Sequence, residues 1–139
     1  MGWAPVNFFA LFVNFVVLMT LRFRPWEHLR REKDFRRVFD RKRSVADERI
    51  VVYGCENELA HSRLGLSVSR KWGNAVVRNR IRRLFREGYR LTKAELPVGL
   101  DLVLIPKNVT DLTLAHVQQS LQKLVPQLAR RLAREAKPS

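Results

Sequence analysis

The basic residues between positions 70 and 90 are the most chemically informative feature of this sequence. The stretch holds eight arginines and lysines against a single acid, Glu87, so its net charge of +7 is half of the chain's +14. Positive charge at this density repels itself unless a polyanion neutralises it. Arginine predominates, and its guanidinium suits paired hydrogen bonds to phosphate and stacking on bases. The eight residues are Arg70, Lys71, Arg78, Arg80, Arg82, Arg83, Arg86 and Arg90.

The same stretch predicts a helix that starts at Asn74. Asparagine is a favoured N-cap, and Gly73 frees the turn that leads into it. Apolar residues then recur at helical spacing, and most of the arginines fall on the opposite arc, with Asn79. One face therefore suits a protein core and the other suits phosphates. A merely solvated basic face is the alternative, but the lack of compensating acids argues against it. The apolar positions are Val77, Ile81, Leu84, Phe85 and Gly88.

A second basic region, residues 22–43, carries ten basic and four acidic residues. It includes a short helical pattern in which Phe35, Val38 and Phe39 lie at positions i, i+3 and i+4. The two phenylalanines fit either of two roles equally well. They could be buried in the core, or they could present a stacking surface for bases.

Catalytic groups are not clustered in this sequence. Its three histidines, His28, His61 and His116, are scattered, and none has a second metal ligand at helical spacing. Hydrolysis of phosphodiesters requires clustered metal ligands or an acid–base pair. The sequence therefore predicts binding chemistry without catalytic residues.

Length and composition indicate one domain in a reducing compartment. A chain of 139 residues is too short for two cores. The single cysteine, Cys55, excludes an internal disulfide.

Residues 3–21 carry no charge, and we consider three explanations: translation that starts at Met19, which we favour, a membrane anchor, or a folded apolar flap.

The remaining pattern predicts a mixed α and β fold. Residues 50–53 and 63–69 are expected to be strands joined through a hairpin connection at 54–62, and residues 102–105 another strand. The strand–helix–strand order implies a parallel pair. A last amphipathic helix follows, which Pro126 should kink or end. Its apolar stripe is Leu114, Val117, Leu121, Leu124, Val125, Leu128 and Leu132.

Three segments resemble the protein component of bacterial ribonuclease P. The clearest is Gly73–Leu84, which contains Arg78-Asn79-Arg80; the others are Gly65–Lys71 and Asp34–Phe39. The resemblance covers residues 22–125 in the same order and spacing. Trp72 departs from it, because the family usually has a small or β-branched aliphatic residue there.

This resemblance implies an α+β, two-layer sandwich with αβββαβα order, a small mixed sheet and a left-handed βαβ crossover, as in ribosomal protein S5 domain 2. It places the domain at 22–135, after an apolar extension (1–21) and before a tail (136–139). It implies an RNA-binding, cytoplasmic subunit of the endoribonuclease that removes the 5′ leader of precursor tRNA. The RNA subunit would be catalytic and would hold the Mg²⁺, with none bound by the protein alone.

The resemblance also implies two sets of site residues. One set contacts the catalytic RNA, and the other binds the leader. The resemblance implies no stable protein partner and no association with a membrane. The alternatives are a general ribosomal-type RNA-binding module and a membrane-attached basic protein. The RNA-contacting set is Arg70, Lys71, Asn74, Arg78, Asn79, Arg80, Arg82, Arg83 and Arg86, and the leader-binding set is Phe35, Phe39 and Tyr53.

Overall fold

The computed structural model describes residues 22–136. The predictions about residues 1–21 and the tail beyond Ala136 lie outside this range. Three α-helices and four strands follow one another in the predicted αβββαβα order. They are α1 (Glu32–Asp40), β1 (Ser44–Ala46), β2 (Ile50–Glu56), β3 (Arg63–Leu66), α2 (Ala75–Thr92), β4 (Leu100–Pro106) and α3 (Leu114–Ala136).

The four strands form one mixed sheet in the order β1-β2-β4-β3. The parallel pair predicted from the strand–helix–strand order is confirmed, because β3 runs parallel to β4. The predicted hairpin at 54–62 is wrong, since β4 lies between β2 and β3 and β2 itself continues to Glu56. The hairpin is instead β1–β2, where the Asp47 carboxylate accepts hydrogen bonds from the amides of Arg49 and Ile50.

The two faces of the sheet are covered by different helices. Along β4, Leu102 and Leu104 belong to the larger core, which also contains the buried side chains of α2 and α3. The alternate residue Val103 belongs to a smaller core with Val38 of α1. This follows from the two-residue period of a strand, which sends successive side chains to opposite faces. Helix α1 therefore lies on one face, and α2 and α3 lie on the other.

Helix α2 begins as predicted. The Asn74 side chain accepts a hydrogen bond from the amide of Val77 at 3.1 Å, so it is the N-cap. Gly73 before it has a φ of 131°, which favours glycine. Ile81, Phe85 and Gly88 are buried as expected, but Val77 is not, because 40% of its surface is exposed at the first turn.

Helix α3 supplies the largest share of the core side chains. All of its predicted apolar stripe is buried except Leu114, which is partly exposed at the first position. The helix does not end at Pro126 but continues to Ala136. It thereby reaches past the sheet to the β1 edge, where its last turn contacts the segment between α1 and β1.

Candidate nucleic-acid interface

A buried carboxylate, Asp101 at the start of β4, fastens α1 to the sheet. Its side chain is 0% exposed and accepts two hydrogen bonds from Arg63, at 2.8 and 2.6 Å. Asn57 donates a third, at 2.9 Å, and Arg37 of α1 also donates to it. Asp34 of α1 adds an ion pair with Arg63 at 3.7 Å. The network therefore joins α1 to β3 and β4.

The ionisation of Asp101 depends on these partners. Burial alone would raise the pKa of its carboxyl, because a charge is poorly solvated inside the protein. Hydrogen bonds from Arg63 and Asn57, together with the charge of Arg37, outweigh burial and hold the pKa below its ordinary value. Asp101 is thus ionised in the folded protein at neutral pH.

Next to this network, α1 and α2 border a cavity of about 390 Å³, which we call the arginine cleft. Arg82 and Arg86 of α2 and Phe35 of α1 are among the residues that line it. Guanidinium groups and an aromatic ring thus share one open space. The full lining is Phe23, His28, Leu29, Arg30, Phe35, Leu64, Gly65, Leu66, Arg82 and Arg86.

The position of Phe35 requires a glycine beneath it. A β-carbon on Gly65 of β3 would lie 2.6 Å from Cζ and 2.8 Å from Cε1 of the Phe35 ring, closer than such atoms approach. Only a residue without a side chain lets the ring lie directly on the strand. The place of the Phe35 ring in the lining of the arginine cleft therefore depends on glycine at position 65.

Phe35, Phe39 and Tyr53 form what we call the aromatic face. All three are partly buried and pack against the smaller core around Val38 and Val103. The rings of Phe39 and Tyr53 meet edge to face, with centroids 5.1 Å apart. The two roles considered for the phenylalanines are therefore compatible, since each ring contacts the core and keeps an exposed part.

Most arginines of the basic stretch have no acidic partner within residues 22–136. The exception is Arg90, which forms a two-point pair with Glu87 at 2.6 and 3.0 Å. Arg82 donates instead to the neutral amide oxygen of Asn79, at 3.0 Å. Arg80, Arg83 and Arg86 are exposed, whereas Arg78 and Arg82 are partly buried. The face predicted to bind phosphates therefore carries largely uncompensated charge.

Arg70, Lys71 and Asn74 lie at the other end of α2 from the arginine cleft. They belong to the short 3₁₀ turn and the cap that precede the helix, and all three are exposed. The unusual Trp72 packs partly into the larger core, and the Lys71 ammonium lies 5.1 Å from the centroid of its ring. The tryptophan is thus accommodated with the turn intact.

The structure adds residues that sequence reasoning missed. His28 and Phe23 both line the arginine cleft, where their rings pack at a tilt with centroids 3.9 Å apart. Burial, followed by the charges of Arg30 and Arg86, lowers the pKa of His28 and favours the neutral ring. Neither residue belongs to a periodic pattern. The third residue that sequence reasoning missed is Asp101. Its sequence position did indicate a special role, because it is a single acid directly before the wholly apolar predicted strand 102–105.

Within residues 22–136, no group of three or more His, Cys, Asp or Glu side chains is arranged to hold a metal ion. In the same range, no helix combines the length and the apolar character that crossing a bilayer requires.

Comparison with known protein families supports one relationship. Residues 23–129 match the family model for ribonuclease P. A ribonuclease P protein component from Pelotomaculum thermopropionicum is 46% identical over 98 residues, which cover 70% of this chain and 88% of the relative. The corresponding protein from Staphylococcus aureus is 38% identical over 99 residues, covering 70% and 85%.

Solved structures agree with this relationship. The ribonuclease P protein of Staphylococcus aureus superposes with a TM-score of 0.64 at 38% identity, covering 75% of this chain and 95% of that one. The ribonuclease P protein of Thermotoga maritima gives a TM-score of 0.64 at 35% identity, covering 75% and 96%.

The Asp101 network predicts a pH-dependent loss of stability. At pH 7 we expect Asp101→Asn to lower the free energy of unfolding by about 3 kcal/mol, the lower end for a broken buried ion pair. The lower end applies because the Arg37 side chain is 48% exposed. Since folding lowers the pKa of Asp101, its contribution is present above the ordinary value of about 3.9 and is lost as the pH falls through the folded-state value.

Urea unfolding at about pH 7 and about pH 3 measures this difference, which should shrink at the lower pH. Asp40→Asn is the matched control, because Asp40 is exposed at the last position of α1. It should change stability by no more than about 0.5 kcal/mol. A loss that is equal at both pH values would contradict an ionised Asp101 as its cause.

Proposed function

Because this chain belongs to the ribonuclease P protein component family, and so is a subunit of the ribonuclease P complex, we propose that it binds two RNAs at once. One is the catalytic RNA of the complex, bound through α2. The other is the single-stranded 5′ leader of precursor tRNA, bound along the aromatic face and the arginine cleft. The RNA subunit and its Mg²⁺ carry out the cleavage, and the protein contributes binding.

The observation that carries this proposal is the composition of the arginine cleft. Its lining combines the ring of Phe35 with three guanidinium groups, those of Arg30 and of Arg82 and Arg86 in α2. Single-stranded nucleic acid is bound by this combination, since positive charge follows the phosphates while bases stack on aromatic rings. An RNA duplex would not supply free bases to these rings, because its bases are stacked and paired. The leader, which is unpaired, fits this site.

The outward side of α2 supports the second contact. Arg80 and Arg83 are exposed there, and no acid lies within ion-pair distance of either among residues 22–136. Phosphate contacts from such a helix position a protein on folded RNA without reading its sequence. Arg82 and Arg86 of the same helix line the arginine cleft. The helix that docks on the catalytic RNA therefore also borders the leader site.

Replacing Phe39 by leucine tests the leader site. Leucine keeps an apolar side chain against Val38 and Val103 but removes the ring, and stacking of one base contributes about 1–3 kcal/mol. We expect the reconstituted holoenzyme to bind precursor tRNA roughly 5- to 150-fold more weakly. Its affinity for mature tRNA, which lacks the leader, should be unchanged. Equilibrium binding of both tRNAs provides the measurement.

Trp26→Ala is the control for loss of an exposed aromatic ring, because Trp26 is 57% exposed and lies outside the aromatic face. A thermal melt of the free protein reports whether Phe39→Leu disturbs the core. Equal losses for precursor and mature tRNA would show that Phe39 acts on the fold or on assembly rather than on the leader.

Removing two exposed charges from α2 tests the contact with the catalytic RNA. Arg80→Ala with Arg83→Ala should weaken assembly, and the slope of log affinity against log salt should fall by roughly 0.7–0.9 for each lost phosphate contact. The charge-matched control is Lys107→Ala with Lys123→Ala, two exposed lysines that lie outside α2. If both double variants flatten the slope equally, the effect is one of net charge and the proposed contact is absent.

A further inference from the structure

A second group of arginines lies at the opposite edge of the sheet, beside β1. The Nε–H of Arg43 is shared between the two carboxylate oxygens of Glu135 in the last turn of α3, at 2.6 and 2.8 Å. Arg41 contacts the same carboxylate at 3.2 Å and Arg131 at 3.7 Å. Arg131 also donates to the carbonyl oxygen of Ser44 in β1, at 3.1 Å. With Arg134, we call these arginines the far-edge cluster.

The far-edge cluster keeps excess positive charge. Glu135 is shared by three guanidinium groups, and Glu56 reaches only Arg41, at 3.5 Å. The exposed Arg134 has no carboxylate within ion-pair distance among residues 22–136. Two carboxylates therefore face four arginines, and the side chains stay partly solvated. Among residues 22–136 Arg134 has no ion pair, so a phosphate can form charge-assisted hydrogen bonds with it without displacing a carboxylate of the protein.

There is open space beside these side chains. A cavity of about 390 Å³ is lined by Val45, Gln127, Arg131, Arg134 and Glu135. Arg131 and Arg134 thus border a recess rather than a flat surface. A strand of nucleic acid that crosses the β1 edge would meet both of them.

The far-edge cluster adjoins the aromatic face. Tyr53 pairs directly with Ser44 across β2 and β1, and Ser44 is the residue whose carbonyl Arg131 binds. Neighbouring strands lie about 4.8 Å apart, so the arginines begin one strand beyond the tyrosine. From the other side, Arg41 follows Phe39 by two residues at the end of α1. Val45, which lines the recess, belongs to the larger core on the other face of the sheet from Tyr53. The path of a strand from the arginine cleft over the aromatic face therefore reaches Arg131 and Arg134 by crossing the β1 edge.

We propose that the far-edge cluster binds the phosphates of the distal leader, beyond the nucleotides that stack on the aromatic face. This inference rests on the proposed function, which places the proximal leader between α1 and α2. Because α2 docks on the catalytic RNA, the cleavage site lies toward the arginine cleft, and the far edge receives the upstream end. Short leaders stop before the cluster, whereas long leaders reach it and gain affinity.

The test uses the holoenzyme reconstituted with its catalytic RNA and three substrates. OB folds, which also bind single strands with basic and aromatic side chains, cover about 4–16 nucleotides, so unstructured leaders of about 4 and about 16 nucleotides are used to bracket the path. Mature tRNA is the third substrate. The variant is Arg131→Ala with Arg134→Ala, and Lys107→Ala with Lys123→Ala is the charge-matched control.

The wild type should bind the long leader more tightly than the short one, and the arginine variant should lose this difference. For the long leader, the slope of log affinity against log salt should fall by about 0.7 for each lost phosphate contact. Affinities for the short leader and for mature tRNA should not change. If the long-leader advantage survives in the variant, the distal site does not exist.

Two further results separate this inference from its premise. If the arginine variant weakens all three substrates equally, the cluster acts on the catalytic RNA or on folding, and the inference is overturned while the leader site stands. If short-leader precursor binds the wild type no better than mature tRNA, the leader site itself fails. Arg134→Ala alone serves as a second variant, because the Arg134 side chain makes no hydrogen bond or ion pair within the described chain and its removal leaves the ion pairs of Glu135 in place.

Discussion

The burial of Asp101 is the constraint on which the site depends. A buried carboxylate is unfavourable unless charged partners surround it, and here the partners come from α1, β3 and the loop after β2. Satisfying this one group therefore fixes where α1 crosses the sheet. Phe35 and Phe39 are carried on that helix, so the spacing between the aromatic face and α2 follows from an ion pair that touches neither.

The few acidic side chains are placed unevenly over the molecule. Acids are used where arginines must be held in place, at Asp101 and Glu135, and they are scarce along the outward side of α2. Uncompensated arginines destabilise a free protein through mutual repulsion, and bound RNA relieves it. The core beneath α2, centred on Ile81 and Phe85, is what lets the helix tolerate this repulsion.

The elements that could be predicted from the sequence are those whose residue pattern lies within one segment and repeats at helical spacing. The basic helix, its Asn74 cap and the apolar stripe of α3 each follow from spacing within one segment. The order of the strands could not be predicted in the same way, because β1 has only three residues and the insertion of β4 between β2 and β3 depends on packing. The arginine cleft could not be predicted from the sequence either. Phe35 and Arg86 line one cavity only because α1 packs over Gly65 in the folded protein.

We propose that this one protein presents separate surfaces to two RNAs. Hydrogen–deuterium exchange of the holoenzyme, alone and with precursor or mature tRNA, tests it most directly. Assembly with the catalytic RNA should slow exchange in α2, and precursor tRNA should slow it further in α1 and β2, whereas mature tRNA should leave those two elements unchanged. Equal protection of α1 and β2 by precursor and mature tRNA would contradict a leader site on this face.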